Sequence, residues 1–120
     1  MEKLKRIEDM ELSELEGKAA EVSGLLRVMS NQWRLLILCN LAQGEHSVQG
    51  LQKLVGLGQS ALSQHLAILR YEGLVSTRRE AQSIFYSITS AEAETLLGTL
   101  YEMYCLVPGA DDAEEISKAG

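Results

Sequence analysis

The strongest constraint on this chain is the glycine-containing segment 56–58, which separates two apolar patterns with helical spacing. Residues 47–55 carry apolar side chains three or four positions apart, and so do residues 59–72. Such steps place the apolar side chains on one face of a helix. Two helices joined by a short turn containing glycine form a helix-turn-helix. The sequence therefore predicts this arrangement, with Ser47 opening its first helix and Gly73 ending its second.

A β-hairpin is predicted directly after these two helices. Residues 75–79 and 84–87 are rich in β-branched and aromatic side chains, and residues 80–83 between them are mostly polar. This pattern is typical of two strands joined by a polar tip. A helix-turn-helix followed by such a hairpin is a winged helix.

Three more helices complete the predicted fold. Apolar residues three or four positions apart predict a first helix over 12–29 and a last helix over 93–104, capped by Ser90. A second helix is predicted between Ser30, which can cap its amino end, and Gly44, which can close it in a left-handed backbone conformation. Its side chains are apolar almost all round, which predicts that it is the buried centre of the domain. The predicted class is mainly α with a small β-hairpin: four helices, the hairpin and a fifth helix.

The charges of the chain are segregated, although its net charge is -6. Residues 27–86 hold six basic and three acidic residues, residues 1–26 four and seven, and residues 87–120 one and seven. A basic centre suits a chain whose middle contacts a phosphate backbone.

We interpret residues 1–10 as a flexible arm and residues 107–120 as an acidic flexible tail. The winged-helix DNA-binding and dimerisation domain then spans residues 11–106.

The composition predicts a soluble globular protein, since 46% of the residues are hydrophobic and 23% charged. No uninterrupted apolar run exceeds five residues, whereas spanning a bilayer takes about 18 to 20. The first nine residues contain acids where a signal peptide has an apolar stretch. These features predict a cytoplasmic protein with no membrane partner.

Short, neutral, hydrogen-bonding side chains lie on the outward face of the second helix of the helix-turn-helix. Side chains of this kind fit the major groove of DNA and read base edges. Long cations on the hairpin can contact phosphates or probe a minor groove. The residues predicted to contact DNA are Gln59, Ser60, Ser63, Gln64 and His65 on the helix, and Arg78, Arg79 and Gln82 on the hairpin. The alternative for each is ordinary solvated surface.

The first and last helices carry more apolar surface than a small winged helix needs for its own core. We expect them to form a homodimer interface, which places two recognition helices about 34 Å apart on an inverted-repeat operator. The predicted interface residues are Leu15, Val22, Leu26, Leu97, Leu100, Tyr101 and Tyr104.

Residues from about 20 to 106 resemble the ArsR family of bacterial winged-helix repressors. The resemblance rests on the segment Ser63–Leu66, preceded by Ser30–Arg34 at the start of the second helix. Gly58 departs from the family, whose members often have a serine cap there, but glycine at a cap costs only about a few tenths of a kcal/mol. The resemblance implies a DNA-binding repressor rather than an enzyme.

Two metal sites of this family have no counterpart here. Metal-sensing members carry a Cys-x-Cys pair where this chain has Ser47 and Gln49, and others use Asp and His on the last helix, absent from residues 90–106. The sequence, with two cysteines and two histidines in no close ligand spacing, predicts no metal and no cofactor.

The two cysteines, Cys39 and Cys105, are similar in placement to the pair of the persulfide-sensing subgroup, repressors of the SqrR and BigR type. HlyU-type activators share this pair. The resemblance implies that the reduced protein binds operator DNA and is released when persulfide or polysulfide bridges the two thiols. Genes for handling sulfide and sulfane sulfur would then be derepressed.

Several alternatives to persulfide sensing stay open. The thiols can be small buried hydrophobes, or they can answer to general oxidants. The protein can also respond to another signal or act as an antirepressor. A thiol enzyme is disfavoured because neither cysteine is predicted at a helix amino terminus, where the helix dipole lowers a thiol pKa.

Overall fold

The computed structural model describes residues 7–106. A short 3₁₀ turn, Ile7–Asp9, precedes five helices and three strands. The helices are α1 (Leu12–Met29), α2 (Gln32–Ala42), α3 (Val48–Val55), α4 (Gln59–Tyr71) and α5 (Ala91–Tyr101). The strands are β1 (His46–Ser47), β2 (Val75–Glu80) and β3 (Ser83–Ile88), and a π-helical turn, Glu102–Leu106, follows α5. The predicted winged helix is confirmed.

Two predicted segments fall largely outside the described residues. The acidic tail, 107–120, lies wholly outside them, and so do the first six residues of the arm predicted over 1–10. The division into arm, domain and tail stays a prediction.

The core is built by leucines and isoleucines from the three central helices. Six large side chains are less than 2% exposed: Ile37, Leu38, Leu51, Leu62, Leu66 and Leu69. The last three lie on α4 with the spacing of one helical face, as predicted. Leu74 and Val75, which begin the hairpin, and Ala93 and Leu97 from α5 close the same cluster.

Helix α2 is buried along one side only, and the prediction that it forms a centre covered all round is wrong. Ile37, Leu38 and Leu41 are buried, but Leu36 is 41% exposed and Cys39 is exposed. Within the described residues, the elements with most contact to α2 are α1, α3, α4 and β3. They cover the side that carries Ile37 and Leu38. One protomer therefore leaves an apolar face of α2 open.

Asn31, not Ser30, caps the amino end of α2. The Oδ1 atom of Asn31 accepts hydrogen bonds from the backbone N–H groups of Trp33 at 2.9 Å and Arg34 at 3.0 Å. The Oγ atom of Ser30 instead donates to the carbonyl of Arg27 at 2.9 Å. Ser30 therefore belongs to the end of α1, which is why the cap lies one residue later than predicted.

The other end of α2 also differs from the prediction. Gly44 has a φ of +156°, outside the left-handed helical region in which it was predicted to close the helix. Gln43, which follows the last residue of α2, keeps a right-handed helical conformation.

The turn between α3 and α4 forms as predicted. The Oγ atom of Ser47 accepts a hydrogen bond from the N–H of Gly50 at 3.1 Å and caps α3. Gly56 ends α3 with a φ of +86°, a left-handed conformation that glycine adopts without strain. Gly58, in an extended conformation, then precedes α4 without a side-chain cap.

A tight turn sends the chain from α4 directly into the hairpin. Gly73, at a φ of +83°, donates its N–H to the carbonyl of Arg70 at 3.1 Å. The N–H of Leu74 reaches the carbonyl of Leu69 at 2.9 Å. This pair of bonds is the Schellman motif. Both leucines are buried, so the turn ties the base of β2 to the core.

The hairpin is longer and its turn tighter than predicted. Glu80 pairs with Ser83, so the turn is only Ala81 and Gln82. Ala81 has a φ of +57°, which two-residue hairpin turns require although alanine is not suited to it. The two-residue strand β1, which the sequence did not predict, pairs with β3 and gives the order β1-β3-β2.

Helix α1 projects from the domain, with only its carboxyl-terminal residues, Val28 and Met29, buried. Its apolar stripe is largely solvent-facing, with Leu15 and Leu26 exposed by 44% and 49%. No helix within residues 7–106 is long and apolar enough to cross a membrane.

The corrected cap gives the first prediction. We expect Asn31→Ala to lower the free energy of unfolding by about 1 kcal/mol, because two backbone N–H groups lose their acceptor. Ser30→Ala is the matched neighbour, and we expect it to cost only a few tenths of a kcal/mol because its hydroxyl caps no N–H group. Urea denaturation at one protein concentration measures both. Equal losses for the two variants would contradict the assignment.

Candidate nucleic-acid interface and thiol pair

Four of the polar residues predicted to read DNA form one exposed surface on α4. Gln59, Ser60, Ser63 and Gln64 are all exposed, whereas Leu62 lies buried on the opposite side of the helix. The surface holds hydrogen-bond donors and acceptors and no formal charge. It is chemically able to pair with base edges in a major groove.

His65, the fifth predicted DNA contact on α4, is half-buried and lies against Arg34 of α2. Its Nδ1 atom is 3.5 Å from Nη1 of Arg34, whose Nε atom donates to the carbonyl of Val28 at 2.7 Å. Arg34 thus connects the end of α1 to α4. Burial lowers the pKa of His65, and the Arg34 guanidinium lowers it further. Neutral His65 can accept a hydrogen bond from Arg34.

The hairpin places Arg79 and Gln82 at an exposed tip. Arg78 is engaged differently, because its guanidinium makes hydrogen bonds within the protein. Its Nε and Nη2 atoms donate to the two carboxylate oxygens of Glu45 at 2.7 and 2.9 Å, and Nη1 donates to Glu80 at 2.7 Å. The guanidinium carbon also lies 4.8 Å from the ring centroid of Phe85.

These contacts shift the pKa of each partner so that its charged form is favoured. The hydrogen bonds from Arg78 hold the pKa of Glu45 below its usual range. The hydrogen bonds to Glu45 and Glu80 raise the pKa of Arg78. The DNA contacts predicted for the hairpin stay predictions, and for Arg78 they compete with two carboxylates.

The two cysteines, 66 positions apart in the chain, influence each other electrostatically in the fold. Both thiols are free; Cys39 is exposed on α2, and Cys105 is half-buried in the π-helical turn after α5. Although Cys39 is exposed overall, partial desolvation raises the pKa of its thiol, and negative charge on Cys105 raises it further.

Two details of the thiol prediction change. Cys105 was predicted at the end of the last helix, but α5 ends at Tyr101 and Cys105 lies in the π-helical turn. Cys39 was predicted beside apolar surface, and its helix face includes Leu36 and Ala42, which are themselves exposed. The apolar setting of Cys39 is therefore an open surface rather than a closed pocket.

Most of the predicted dimer-interface residues are available to a partner. Five of them are between 39% and 66% exposed: Leu15, Val22, Leu26, Tyr101 and Tyr104. Leu100 is half-buried. Leu97 is only 7% exposed and packs in the core of its own protomer, which leaves it little surface for a partner.

The contacts between Arg34 and His65, and between Arg78 and Glu45, were not predicted. Arg78 and Glu45 are 33 positions apart, and Arg34 and His65 are 31 apart. No local sequence pattern links residues at such separations. The pairing of β1 with β3 was the missing piece for Glu45, because it sets the segment before α3 beside the hairpin.

Comparison with known proteins finds relatives of the same architecture. Residues 31–77 match the sequence profile of the arsR family of bacterial regulatory proteins. The chain is 48% identical over 96 residues to the transcriptional activator HlyU of Vibrio cholerae, covering 80% of this chain and 89% of HlyU.

Two solved structures resemble the protein closely. The crystal structure of the transcriptional repressor BigR from Xylella fastidiosa is 43% identical with a TM-score of 0.77, covering 80% of this chain and 98% of BigR. A homodimeric winged helix-turn-helix DNA-binding domain from Mycobacterium bovis is 32% identical with a TM-score of 0.62. That likeness covers 72% of this chain and 82% of the Mycobacterium domain.

The environment of His65 gives the second prediction. The folded-state pKa lies below that of the unfolded chain, so the unfolded state takes up a proton first as the pH falls. The stability that His65 contributes is therefore present above about pH 6.5 and lost as the pH falls through the folded-state pKa. We expect His65→Gln to remove this part of the pH dependence, measured by urea denaturation between about pH 5 and 8. His46→Gln is the control; a similar change there, or none for His65→Gln, would contradict the assignment.

Proposed function

Because this chain belongs to the arsR family of bacterial regulatory proteins, we propose that it is a homodimeric repressor whose Cys39 and Cys105 sense persulfide. It is a transcription regulator of that family. The reduced protein binds operator DNA through α4 and the β2–β3 hairpin, and a sulfur bridge between the two cysteines releases it. The observation that carries the proposal is that two free thiols, 66 positions apart in the chain, influence each other electrostatically in the fold.

The exposed polar surface of α4 supports the DNA-binding half of the proposal. Gln59, Ser63 and Gln64 can read base edges because they are short and neutral. Arg79 and Gln82 at the hairpin tip can hold the backbone beside that groove. The two kinds of contact have separate tasks, since phosphate contacts fix the position of the protein and base contacts select the sequence.

The exposed apolar stripe of α1 supports the dimer. Contiguous exposed apolar side chains on a helix are typical of a protein–protein interface. The Mycobacterium bovis domain of the same fold is homodimeric. We propose that α1 and the end of α5, with Tyr101 and Tyr104, pair with the same elements of a second copy. A twofold dimer then reads an inverted repeat.

The proposed thiol chemistry needs no oxidant other than the persulfide. A cysteine thiolate attacks the outer sulfur of a persulfide and displaces the parent thiolate, which leaves a cysteine persulfide on the protein. When the other cysteine thiolate attacks the inner sulfur of that group, hydrosulfide leaves and a disulfide forms. When both cysteines carry persulfides first, attack of one on the inner sulfur of the other expels hydrosulfide and leaves a three-sulfur bridge.

The raised pKa of Cys39 slows its reaction with every electrophile, because the thiolate is the nucleophile toward persulfide and oxidant alike. Selectivity for persulfide therefore has to come from the apolar surroundings of the thiol. A persulfide is a soft reagent suited to the apolar surface around Cys39. The placement of both cysteines also resembles that of the persulfide-sensing subgroup of the family.

A bridge would connect two elements with different tasks. Cys39 lies on α2, which contacts α3 and α4 of the helix-turn-helix. Cys105 lies directly after α5, beside the tyrosines proposed for the dimer interface. Joining them changes how the recognition helices sit relative to the dimer axis. Because operator half-sites have fixed spacing, a misplaced pair of helices loses contacts and the protein leaves DNA.

Mass spectrometry of the reduced protein tests the chemistry, after separate exposure to glutathione persulfide, hydrogen peroxide and glutathione disulfide. We expect only the persulfide to give a bridge with added sulfur, and tryptic mapping to place it between Cys39 and Cys105. The same simple disulfide from peroxide and from persulfide would refute selectivity for persulfide.

Single substitutions at the thiols test the link to DNA. We expect Cys39→Ser and Cys105→Ser each to keep the operator affinity of the reduced protein within about threefold, since serine is close in size to cysteine. Both should lose release by persulfide, measured by fluorescence anisotropy of labelled operator DNA. The untreated wild type is the control. Loss of DNA binding in the untreated variants would instead indicate structural cysteines.

One alternative has a specific observation in its favour. Cys39 is exposed, so any small oxidant can reach it. A regulator of the same fold that answers to general oxidants is the second candidate. Release of DNA by peroxide at the concentration at which persulfide acts would favour it.

A further inference from the structure

We propose that Arg78 is a positioning residue that clamps the hairpin to the helix-turn-helix through Glu45, and that it does not contact DNA phosphate. The inference rests on the proposed function in one respect, since it assumes that the hairpin contacts DNA. Its structural part, the clamp, can be measured without DNA.

All the polar groups of the Arg78 guanidinium face carboxylates of its own chain. Two of its nitrogens meet the two oxygens of Glu45 in a bidentate pair, and the third meets Glu80. Bidentate pairing fixes the plane of the guanidinium as well as its position. The contact with the ring of Phe85 adds a cation–π interaction on the same group.

The position of Glu45 gives this pair its mechanical role. Glu45 directly precedes β1, and Ser47 at the end of β1 caps α3. Strand β3 lies between β1 and β2, and its Phe85 pairs with Arg78 on one side and with Ser47 on the other. The side chain of Arg78 therefore reaches across β3 to the segment that begins the helix-turn-helix. The ladder between β1 and β3 has only two residue pairs, so the ion pair of Arg78 with Glu45 adds a second connection between the hairpin and the segment before α3.

The local charge also opposes a phosphate contact by Arg78. One positive group faces two carboxylates, so the cluster of Arg78, Glu45 and Glu80 is negative overall. A phosphate that reached Arg78 would have to displace Glu45 or Glu80. Successive residues of a strand point to opposite faces, which directs Arg79 away from this cluster. Arg79 is thus the arginine of the hairpin that is suited to phosphate.

The pair is not a major source of global stability. The side chains of Arg78 and Glu45 are 50% and 34% exposed, and ion pairs with that much solvent contribute little. The effect we expect is local: with the clamp removed, the hairpin moves more freely against α3. Binding then weakens because the hairpin must be ordered on DNA.

Matched substitutions of the two neighbouring arginines test the clamp. Arg78→Met and Arg79→Met each remove one charge and keep an unbranched side chain. In the full-length protein without DNA, we expect Arg78→Met to speed amide hydrogen exchange in β1 and β3 by roughly two- to fivefold. Arg79→Met should leave exchange unchanged. Glu45→Gln should match Arg78→Met, and the double variant should add nothing.

The salt dependence of operator affinity separates the roles on DNA. We expect Arg79→Met to reduce the slope of log affinity against log salt by about 1.8, because each protomer of the dimer loses one phosphate contact worth about 0.9. Arg78→Met should weaken binding with an unchanged slope.

Two outcomes overturn the clamp: unchanged exchange in both Arg78→Met and Glu45→Gln, or a slope that falls for Arg78→Met as it does for Arg79→Met. An unchanged slope for Arg79→Met, with faster exchange in Arg78→Met, would refute the hairpin–phosphate contact and leave the clamp standing.

Discussion

The burial of one face of α4 is the constraint on which the rest of the molecule depends. Leu62, Leu66 and Leu69 are essentially inaccessible to solvent. Burying each is worth about 2 kcal/mol, and replacing one by alanine typically costs 2 to 5 kcal/mol in a well-packed core, by order of magnitude. Because these leucines fix the rotation of the helix, they also decide which residues face outward. The polar surface proposed to read DNA lies on the side of α4 opposite these leucines.

Polar contacts at the edge of the core then join elements that apolar packing leaves adjustable. Arg34 connects the end of α1 to His65 on α4, and Arg78 connects the hairpin to Glu45 before β1. Neither contact adds much to global stability, since both involve partly exposed groups. Their shared effect is to fix angles between elements: α1 relative to the recognition helix, and the hairpin relative to the helix-turn-helix.

The open surfaces of the protomer have a common physical origin. A small domain cannot cover all of its helices, and here the exposed face of α2, the stripe of α1 and the end of α5 remain uncovered. The two thiols lie among these surfaces rather than in the core. The proposed sulfur bridge would act on helix faces that packing within one protomer leaves open.

The sequence by itself determined the local parts of this protein. Apolar spacing fixed α1, α3 and α4, Ser47 and Ser90 fixed two caps, and the glycines at 56 and 73 fixed two turns, because each depends on residues within a few positions. Tertiary structure alone decided three matters: which side of α2 is buried, whether Arg78 faces solvent or Glu45, and whether Cys105 influences Cys39. The last two depend on residues more than 30 positions apart, and the first depends on the packing of α2 against four other elements. The packing of whole helices and strands decides which distant residues meet. Local patterns of apolar spacing or capping contain no information about that packing.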